Sequence, residues 1–479
     1  MLPPLFEQPT RPPRLGEQLA KAIILAAILA TVAIVHWFRD PVENSLVLPP
    51  ATWRGLSWSV PALFGALMYV VFAWRIVLWR RYRPMTPPPD AMLPSISVVM
   101  PVYNEGELVQ ASMAAVAANR YPAGRIELIV IDDGSTDDSW YHILSGARRI
   151  GRRIRVVTLR QPRNLGKRRA LELGFSHARG DVFVTVDSDS ILHSDALRSG
   201  VAPLVADERI GCVAGCVRVL NPRQSLYTRF LKGTFSLSFK FVRAYQNEFR
   251  GVFCSPGALS FYRAEVVRRV CSEWVQQRFC GRPCTTGEDR AMTNLFLREG
   301  WLTAYQGSAV VWSKMPHTYA GVCRMFLRWA RSNIRETIFL FRFLFGRFRT
   351  EHVMAFRLNI LLSVLALVLP PLFVVNSLSV LMVGDPYLFH RLGLILAYGA
   401  TVSMIYFANE RDTDWVWLIV YEFFWAVGFW WIVPYAMLTA GNNGWLTRRP
   451  ACRKARRPGH EVRRRVGFAT NPIAMHPLP

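Results

Sequence analysis

The stretch "DVFVTVDSDS", residues 181–190, runs an apolar, β-branched segment straight into alternating Asp and Ser. Side chains two apart share one face of a strand, so a strand continuing through this stretch projects Asp187 and Asp189 together. Adjacent carboxylates repel and raise each other's pKa unless a cation or hydrogen-bond donors neutralise them. A strand-end turn, for which Asp and Ser are common residues, accounts for the same letters, so the stretch alone leaves both readings open.

The preceding chain repeats the same grammar. "ISVVMPVYNEGE", from Ile96, is a buried-type strand ending in polar residues and followed by the helical "LVQASMAAVAAN". "RIELIVIDDGSTDDS", from Arg125, closes on Asp132, Asp133 and Gly134, and "IRVVTL" leads into the basic turn and helix "NLGKRRALELGFSHARG". Strands alternating with helices imply an open α/β sheet with parallel strands. Ligands of such sheets sit at the carboxyl ends of the strands, where Tyr103, Asn104, Glu105, Asp132, Asp133, Lys167, Arg168, Asp187 and Asp189 all fall. Acids beside Lys and Arg at one sheet edge describe a nucleotide-diphosphate pocket, with carboxylates for base, ribose and metal and cations for the pyrophosphate. Any one of these residues is also compatible with an ordinary loop carboxylate or surface cation; the agreement of successive strand ends carries the reading.

Three later stretches bear on chemistry. In "VFCSPGALSFYRAEV" (252–266), Ser255, Pro256 and Gly257 form either a plain turn or one suited to close approach by an elongated ligand. "CTTGEDRAMTNLFLREG" opens a helix at Glu288 and Asp289, which either complement the helix dipole or supply the carboxylate that deprotonates a sugar hydroxyl. In "RMFLRWARSNIRE", helical spacing puts Arg324, Arg328, Arg331 and Arg335 on one face. That face reads as interfacial, with arginines meeting lipid headgroups, and it places Arg328 and Trp329 where one binds a phosphate and the other stacks on a sugar ring.

Apolar segments flank this region. The chain has 479 residues, of which 51% are hydrophobic, and "AKAIILAAILATVAIVHWF" (20–38) and "WSVPALFGALMYVVFAWRIVLW" (58–79) each have the length of a membrane-spanning helix. A cleaved signal peptide would explain the first, but a second span follows at once, as in a hairpin anchor. Further apolar runs occupy 358–384, 388–408 and 414–438; Pro370, Pro371 and Glu422 mark positions of breakage or cavity lining. The expected organisation is a cytosolic N-terminal segment (1–19), a transmembrane hairpin (20–83), a proline-rich linker (84–94), a catalytic α/β domain (95–316), amphipathic interface helices (317–350), C-terminal transmembrane helices (351–440) and a basic cytosolic tail (441–479). Three C-terminal spans would leave the tail outside, yet residues 448–465 carry nine Lys or Arg and one Glu, which the positive-inside rule keeps in the cytoplasm. One apolar segment is therefore expected to be a hairpin, or a further crossing lies near 338–345. The net charge of +25 lies mostly beside these segments and in the tail, without a nucleic-acid-binding module, and fits anionic lipid and a phosphorylated substrate. The eight cysteines show no CxxC and no nearby His, so free thiols rather than a zinc site are expected.

Taken together, "NLGKRRA", "VDSDS", "GEDR", "RWARS" and "NNGWLTR" resemble the membrane-embedded family 2 glycosyltransferases, among them hyaluronan synthase, the rhizobial chitin-oligosaccharide synthases and, more distantly, bacterial cellulose synthase. The resemblance spans roughly residues 95–340 and implies a GT-A, Rossmann-like domain set between transmembrane helices, in the inner membrane of a bacterium with its catalytic domain cytoplasmic. It implies that Tyr103 and Glu105, with Asp133, hold the uridine of a UDP-sugar, that Lys167 and Arg168 face the donor, and that Asp189 with Asp187 holds Mg²⁺ or Mn²⁺ on the diphosphate. Asp289, beside Glu288, takes the role of general base, Arg328 stabilises departing UDP, Trp329 lines the site of a growing polysaccharide, and Trp445, Thr447 and Arg448 close over the nucleotide. The implied activity is processive, inverting transfer with export of a β-linked polymer through the membrane helices. A one-step transferase acting on a lipid or polyprenyl phosphate is the alternative, and a catalytically silent scaffold a remote one. The chain departs from the family's Gln-x-x-Arg-Trp at Met325, which leaves the sugar and product length open.

Overall fold

The computed structural model describes residues 15–37, 67, 69–366 and 387–442. Strands β1 (Ile96–Val102), β2 (Ile126–Asp132), β3 (Arg155–Arg160), β4 (Val182–Val186), β5 (Ser190–Leu192), β6 (Ile210–Val219), β7 (Leu259–Arg263) and β10 (Leu302–Ser313) form one sheet; β8 (Arg278–Phe279) and β9 (Arg282–Pro283) make a separate small hairpin. The spatial order is β3-β2-β1-β4-β7-β6-β10-β5. β1 to β4 are parallel as the sequence leads one to expect, but β7 runs antiparallel to both β4 and β6, and β5 runs antiparallel to β10, so the sheet is mixed. The missed strands are short or follow turns rather than helices, and the alternation of strand and helix carries no signal for them.

Both faces of the sheet are covered. Val98, Met100, Leu128, Val130 and Val184 enter one core cluster while Val99, Ile129, Ile131 and Phe183 enter another, the period-two signature of strands buried on both sides. Helices α2 (Leu108–Ala117), α3 (Ser139–Ile150), α4 (Lys167–His177), α5 (Ala196–Ala206), α6 (Leu226–Ser236), α7 (Ala264–Gln276) and α8 (Glu288–Arg298) surround it. A third cluster joins Phe241, Tyr245 and Phe249 to Leu340, Leu344, Phe356 and Ile360, anchoring the sheet to the chain that follows it.

The turn after β4 decides the geometry of the DSDS segment. The strand ends at Val186, and the Ser190 N–H donates to the Asp187 carbonyl at 3.1 Å, closing a tight turn before β5. Asp187 and Asp189 therefore stand on a turn rather than on one face of a continued strand.

Helix α9 (Tyr319–Leu344) opens at the N-cap Thr318, whose side chain accepts from the Gly321 N–H. Its arginine face corrects the interfacial expectation: Arg331 and Arg335 are buried in protein. Arg331 donates to Thr439 Oγ1 at 3.0 Å, and Arg335 to the Ala440 carbonyl at 3.0 Å and to Thr286 Oγ1 at 2.7 Å. The face meets the end of α12 (Ile432–Leu438) and the loop before α8, while Arg324 is exposed.

Of the expected membrane segments, the stretch Gly16–Ala33 of α1 (Leu15–Trp37) is long and apolar enough to cross a bilayer. A pair bent by 43°, Thr413–Phe429 with Ile432–Leu438, passes the same test when taken together. The second half of the N-terminal hairpin is helical at 69–81, and its connection lies outside the described residues, as do 367–386. α10 (Tyr387–Glu410) and α11 (Val416–Phe424) complete the described C-terminal part. α1 is tied to the rest by ion pairs at its first turns: Glu17 meets Arg229 at 2.7 Å, and Lys21 meets Asp414 at 2.9 Å and its own helix's Glu17 at 3.3 Å.

Candidate active site

The carboxyl ends of β1, β2 and β4 come together as the sequence implies, but the side chains divide into those that face the cleft and those that hold it. After β1, Asn104 takes a left-handed φ of 52°; its N–H donates to Ser135 Oγ and its side-chain oxygen accepts from the Thr136 N–H, so two loops fix each other. Tyr103 and Glu105 lie half-buried on this loop. Glu105 accepts from Ser188 Oγ at 3.3 Å, which puts its carboxylate against the DSDS turn.

Asp133 spends both oxygens on backbone, accepting from the Leu165 N–H at 2.8 Å and the Gly166 N–H at 3.0 Å. It shapes the loop that starts α4. Asp132 is fully buried, accepts from the Ser135 N–H and pairs with Arg160 at 3.0 Å, so it secures the β2 turn instead of reaching a ligand. Arg168 likewise turns away: its guanidinium lies over Trp274 and donates to the Trp274 carbonyl at 2.7 Å and to Gln277 at 2.9 Å. Successive residues of a helix point about 100° apart, so with Lys167 facing the cleft its neighbour faces the core.

Lys167 is the centre of the site. Its ammonium meets Asp187 Oδ1 at 2.6 Å and Glu288 Oε1 at 2.9 Å, joining the DSDS turn to the first turn of α8. Burial alone would lower the Lys167 pKa, but the two carboxylates more than reverse this and hold it protonated. Burial likewise opposes ionisation of Glu288, yet Lys167 and the more distant charge of Arg328 bring its pKa down to about 2. Arg328 thus acts on this corner from α9.

Asp289 follows Glu288 and behaves in the opposite sense. Burial first, then the Glu288 charge, pushes its pKa up, against the pull of Lys167 and two backbone donors. Those donors are the Arg290 N–H at 2.7 Å and the Gly257 N–H at 3.3 Å. Two neighbouring carboxylates with pKa values driven apart are a recurrent arrangement where one must ionise permanently and the other must exchange a proton. Gly287 supports the turn with φ of 78°, and a Cβ there would lie 2.5 Å from Ser332 Cβ, so α8 starts hard against α9.

The Ser255-Pro256-Gly257 turn is split in the same manner. Ser255 is buried, bonded to Tyr262 and Thr293, and braces the turn rather than offering itself to an acceptor. Gly257 does face the site: a Cβ added there would stand 2.6 Å from Lys167 Nζ and 3.4 Å from Glu288 Oε1. Trp329 packs on Phe235 with ring centroids 5.9 Å apart. Trp445, Thr447 and Arg448 lie outside the described residues.

Several supporting residues carry no sequence signal of their own. Ser313 at the end of β10 donates to Asp189 at 3.3 Å, and Trp274 Nε1 donates to the Glu288 carbonyl at 2.8 Å. Glu336, wholly buried, accepts from Gln277 and Asn294 and so ties α9 to α8. A metal finds two acids here, Asp187 and Asp189, both half-buried on the turn; among the described residues no group of three or more His, Cys, Asp or Glu is arranged to hold an ion. Two carboxylates on an accessible turn fit Mg²⁺ or Mn²⁺ whose remaining ligands are substrate phosphate oxygens and water. The seven described cysteines are free thiols.

Residues 97–271 match the Glycosyl transferase family 2 model. An N-acetylglucosaminyltransferase of Mesorhizobium japonicum is 32% identical over 260 residues, covering 54% of this chain and 61% of that protein. One of Rhizobium sp. strain N33 is 28% identical over 363 residues, 75% and 78% of the two chains. The chain thus spans about three fifths of the first relative and somewhat over three quarters of the second. A solved mannosyltransferase from Pyrobaculum calidifontis, in complex with GDP-Man and Mn²⁺, shares the fold with a TM-score of 0.51 at 20% identity, covering 77% of this chain and 97% of that one.

Proposed function

We propose that this chain, whose residues 97–271 are a family 2 glycosyltransferase domain, is a UDP-sugar-dependent inverting β-glycosyltransferase that extends a polysaccharide at the membrane. The observation that supports the reading is the contact of one ammonium, that of Lys167, with Asp187 of the DSDS turn at 2.6 Å and with Glu288, the neighbour of Asp289, at 2.9 Å. The names of the relatives make UDP-GlcNAc the first donor to test.

In the proposed reaction Asp289 accepts the proton of the acceptor hydroxyl, whose oxygen attacks the anomeric carbon in line as the bond to UDP breaks. One displacement inverts the centre, so an α-linked donor yields a β-glycoside. Glu288 stays ionised beside Lys167, and its charge keeps Asp289 basic enough to take the proton. Arg328 supplies positive charge toward the departing diphosphate, which such a site must stabilise. Tyr103 and Glu105 form the nucleotide side, and Trp329 the acceptor side. Asp189 and Asp187 would hold the divalent cation, which when bound neutralises charge on the diphosphate. At the position where related sequences carry Gln, Met325 is buried in the core and offers no amide.

Processivity and export are proposed from the apolar α1 and the bent pair at 413–438, both beside the catalytic domain. Purified full-length protein, given each UDP-sugar singly and in pairs with Mg²⁺ or Mn²⁺, tests the reading. UDP release with a product cut by linkage-specific β-hydrolases is expected; a lipid-bound monosaccharide as sole product, or no UDP release with any donor, overturns it.

A further inference from the structure

Two pairs of consecutive residues flank the cleft: Lys167 and Arg168 in the first turn of α4, and Asp289 and Arg290 in the first turn of α8. In each pair the first residue belongs to the candidate site and the second is an arginine directed behind it. Arg168 donates to Gln277 Oε1 at 2.9 Å, just past the end of α7. Arg290 reaches α9, donating to Asn333 Oδ1 and to Thr337 Oγ1, each at 2.8 Å. Glu336, fully buried on α9, stands between them. Its carboxylate accepts from Gln277 Nε2 at 3.0 Å and from Asn294 Nδ2 of α8 at 3.1 Å, and the same Asn294 amide donates to the Glu336 carbonyl at 2.9 Å. The guanidinium charges of Arg168 and Arg290 both act on it, and Arg335 and the Cys284 thiol face it as well.

A polar path thus runs through the interior from Arg168 by way of Gln277 and Glu336 to Asn294, behind the two residues that the cleft presents. Taking a carboxylate out of water costs several kcal/mol, and an apolar side chain of similar volume would serve stability at least as well at this position. What the carboxylate adds is direction, because hydrogen bonds fix the donors that approach it and methyl groups do not. Nε and Nη2 of Arg168 and Nε of Arg290 are buried with no hydrogen-bond partner among the described residues. These cations therefore lean on nearby carboxylate charge, and Glu336 is the one that acts on both.

We infer that Glu336 is a positioning residue, holding Arg168 and Arg290 from behind and so setting the placement of Lys167 and Asp289 on the cleft side. Arg328 lies about two turns earlier on the same helix, so the carboxylate also steadies the arginine directed at the leaving group. The inference rests on the transferase reading above and adds to it a residue that touches neither substrate nor metal. Asp289 reports on that residue. Its carboxyl is faced by Glu288, Lys167, Cys254, Arg243 and Arg290 and by the Gly257 N–H, and Arg290 is the one that also faces Glu336. Without the Glu336 charge, Arg290 is less compensated and favours the ionised form of Asp289.

The test uses the full-length protein and the UDP-sugar that supports UDP release, with kcat and donor half-saturation measured across pH. Glu336→Gln, close in shape but uncharged, is expected to lower kcat roughly 10- to 100-fold and to leave donor half-saturation within about twofold. Its acidic limb of kcat should move down by about half a pH unit. Glu336→Asp keeps the charge and should hold the limb at the wild-type position while kcat recovers in part. Loss of folded protein lowers the rate but leaves the limb in place, so an unmoved limb in Glu336→Gln, or wild-type kcat, overturns the inference. Gln277→Met cuts the path without removing a charge: kcat should fall about tenfold with an unmoved limb, and wild-type kcat there overturns the inference even if neither Glu336 variant folds. Absence of UDP release from the wild-type protein with every UDP-sugar overturns the transferase reading instead, and the inference with it.

Discussion

Gly257→Ala places a single methyl group against the ammonium that links the two halves of the site. The added Cβ would lie 2.6 Å from Lys167 Nζ, so the ammonium has to retreat by about 1 Å to reach ordinary van der Waals separation. It starts 2.6 Å from Asp187 and 2.9 Å from Glu288, and a shift of that size away from Gly257 breaks one of the two contacts. A hydrogen bond to a charged group contributes about 1.5–3 kcal/mol, equivalent to roughly a 10- to 150-fold loss in kcat/KM if it is needed in the transition state. Steady-state UDP release measures that loss, and thermal unfolding checks that the protein remains folded. Because the methyl group acts through Lys167, the effect should largely disappear in a Lys167→Gln background, giving a coupling energy of about 1.5–3 kcal/mol in the double-mutant cycle. Wild-type activity in Gly257→Ala, or an undiminished effect when Lys167 is absent, would refute the argument.

Asp289→Asn should lower kcat by about 10²–10⁴ with donor half-saturation little changed, since a general base is lost and no donor contact is; stopped-time UDP release checks it. Burial and Glu288 hold the Asp289 pKa up, and the base works ionised, so activity should fall on acidification at a pH above the ordinary Asp range, and Glu288→Gln should move that acidic limb down; the pH profile of kcat reads the direction. Glu288 carries the opposite sign: its depressed pKa stabilises the fold above the carboxylate's unfolded value, an increment lost as pH falls toward about 2. Arg335→Leu leaves the Ala440 and Thr286 carbonyls unsatisfied in the interior and should destabilise the protein by about 3 kcal/mol, measured by chemical unfolding in detergent. Chelation should stop UDP release, Mg²⁺ or Mn²⁺ should restore it, and Asp189→Asn should raise the metal concentration needed by more than tenfold.

β1 to β3 could be read from the sequence because each is an apolar run followed by a helix, and β4 because its five residues are almost wholly β-branched. β5 and β7 could not, being three and five residues long and entered through turns that resemble loop chemistry. The site shows the same division. The sequence located the strand ends correctly, since Asp133, Lys167, Asp187 and Glu105 converge in space. It could not say which way each side chain turns. Rotation between the consecutive Lys167 and Arg168 sends the first into the cleft and the second into the core, while Asp132 and Asp133 are both buried, one held by Arg160 and the Ser135 N–H, the other accepting from the Leu165 and Gly166 N–H groups. Ser255 was lost to the core for a related reason, because a hydroxyl beside a turn serves equally as ligand or brace. The buried arginines of α9 were misread because an amphipathic pattern does not distinguish lipid from a neighbouring loop rich in carbonyl acceptors.

The ion pairs of α1 also bear on the order in which the protein can be assembled. Glu17 precedes Arg229 by 212 residues and Lys21 precedes Asp414 by 393, so neither long-range partner exists when the first helix leaves the ribosome. The 3.3 Å contact between Glu17 and Lys21 spans one helical turn and needs nothing made later. It gives the nascent helix a locally neutral end until the distant partners are synthesised, after which the same two side chains fasten it to α6 and to the turn before α11. Helix α1 is thus made well before the residues that lock it in place.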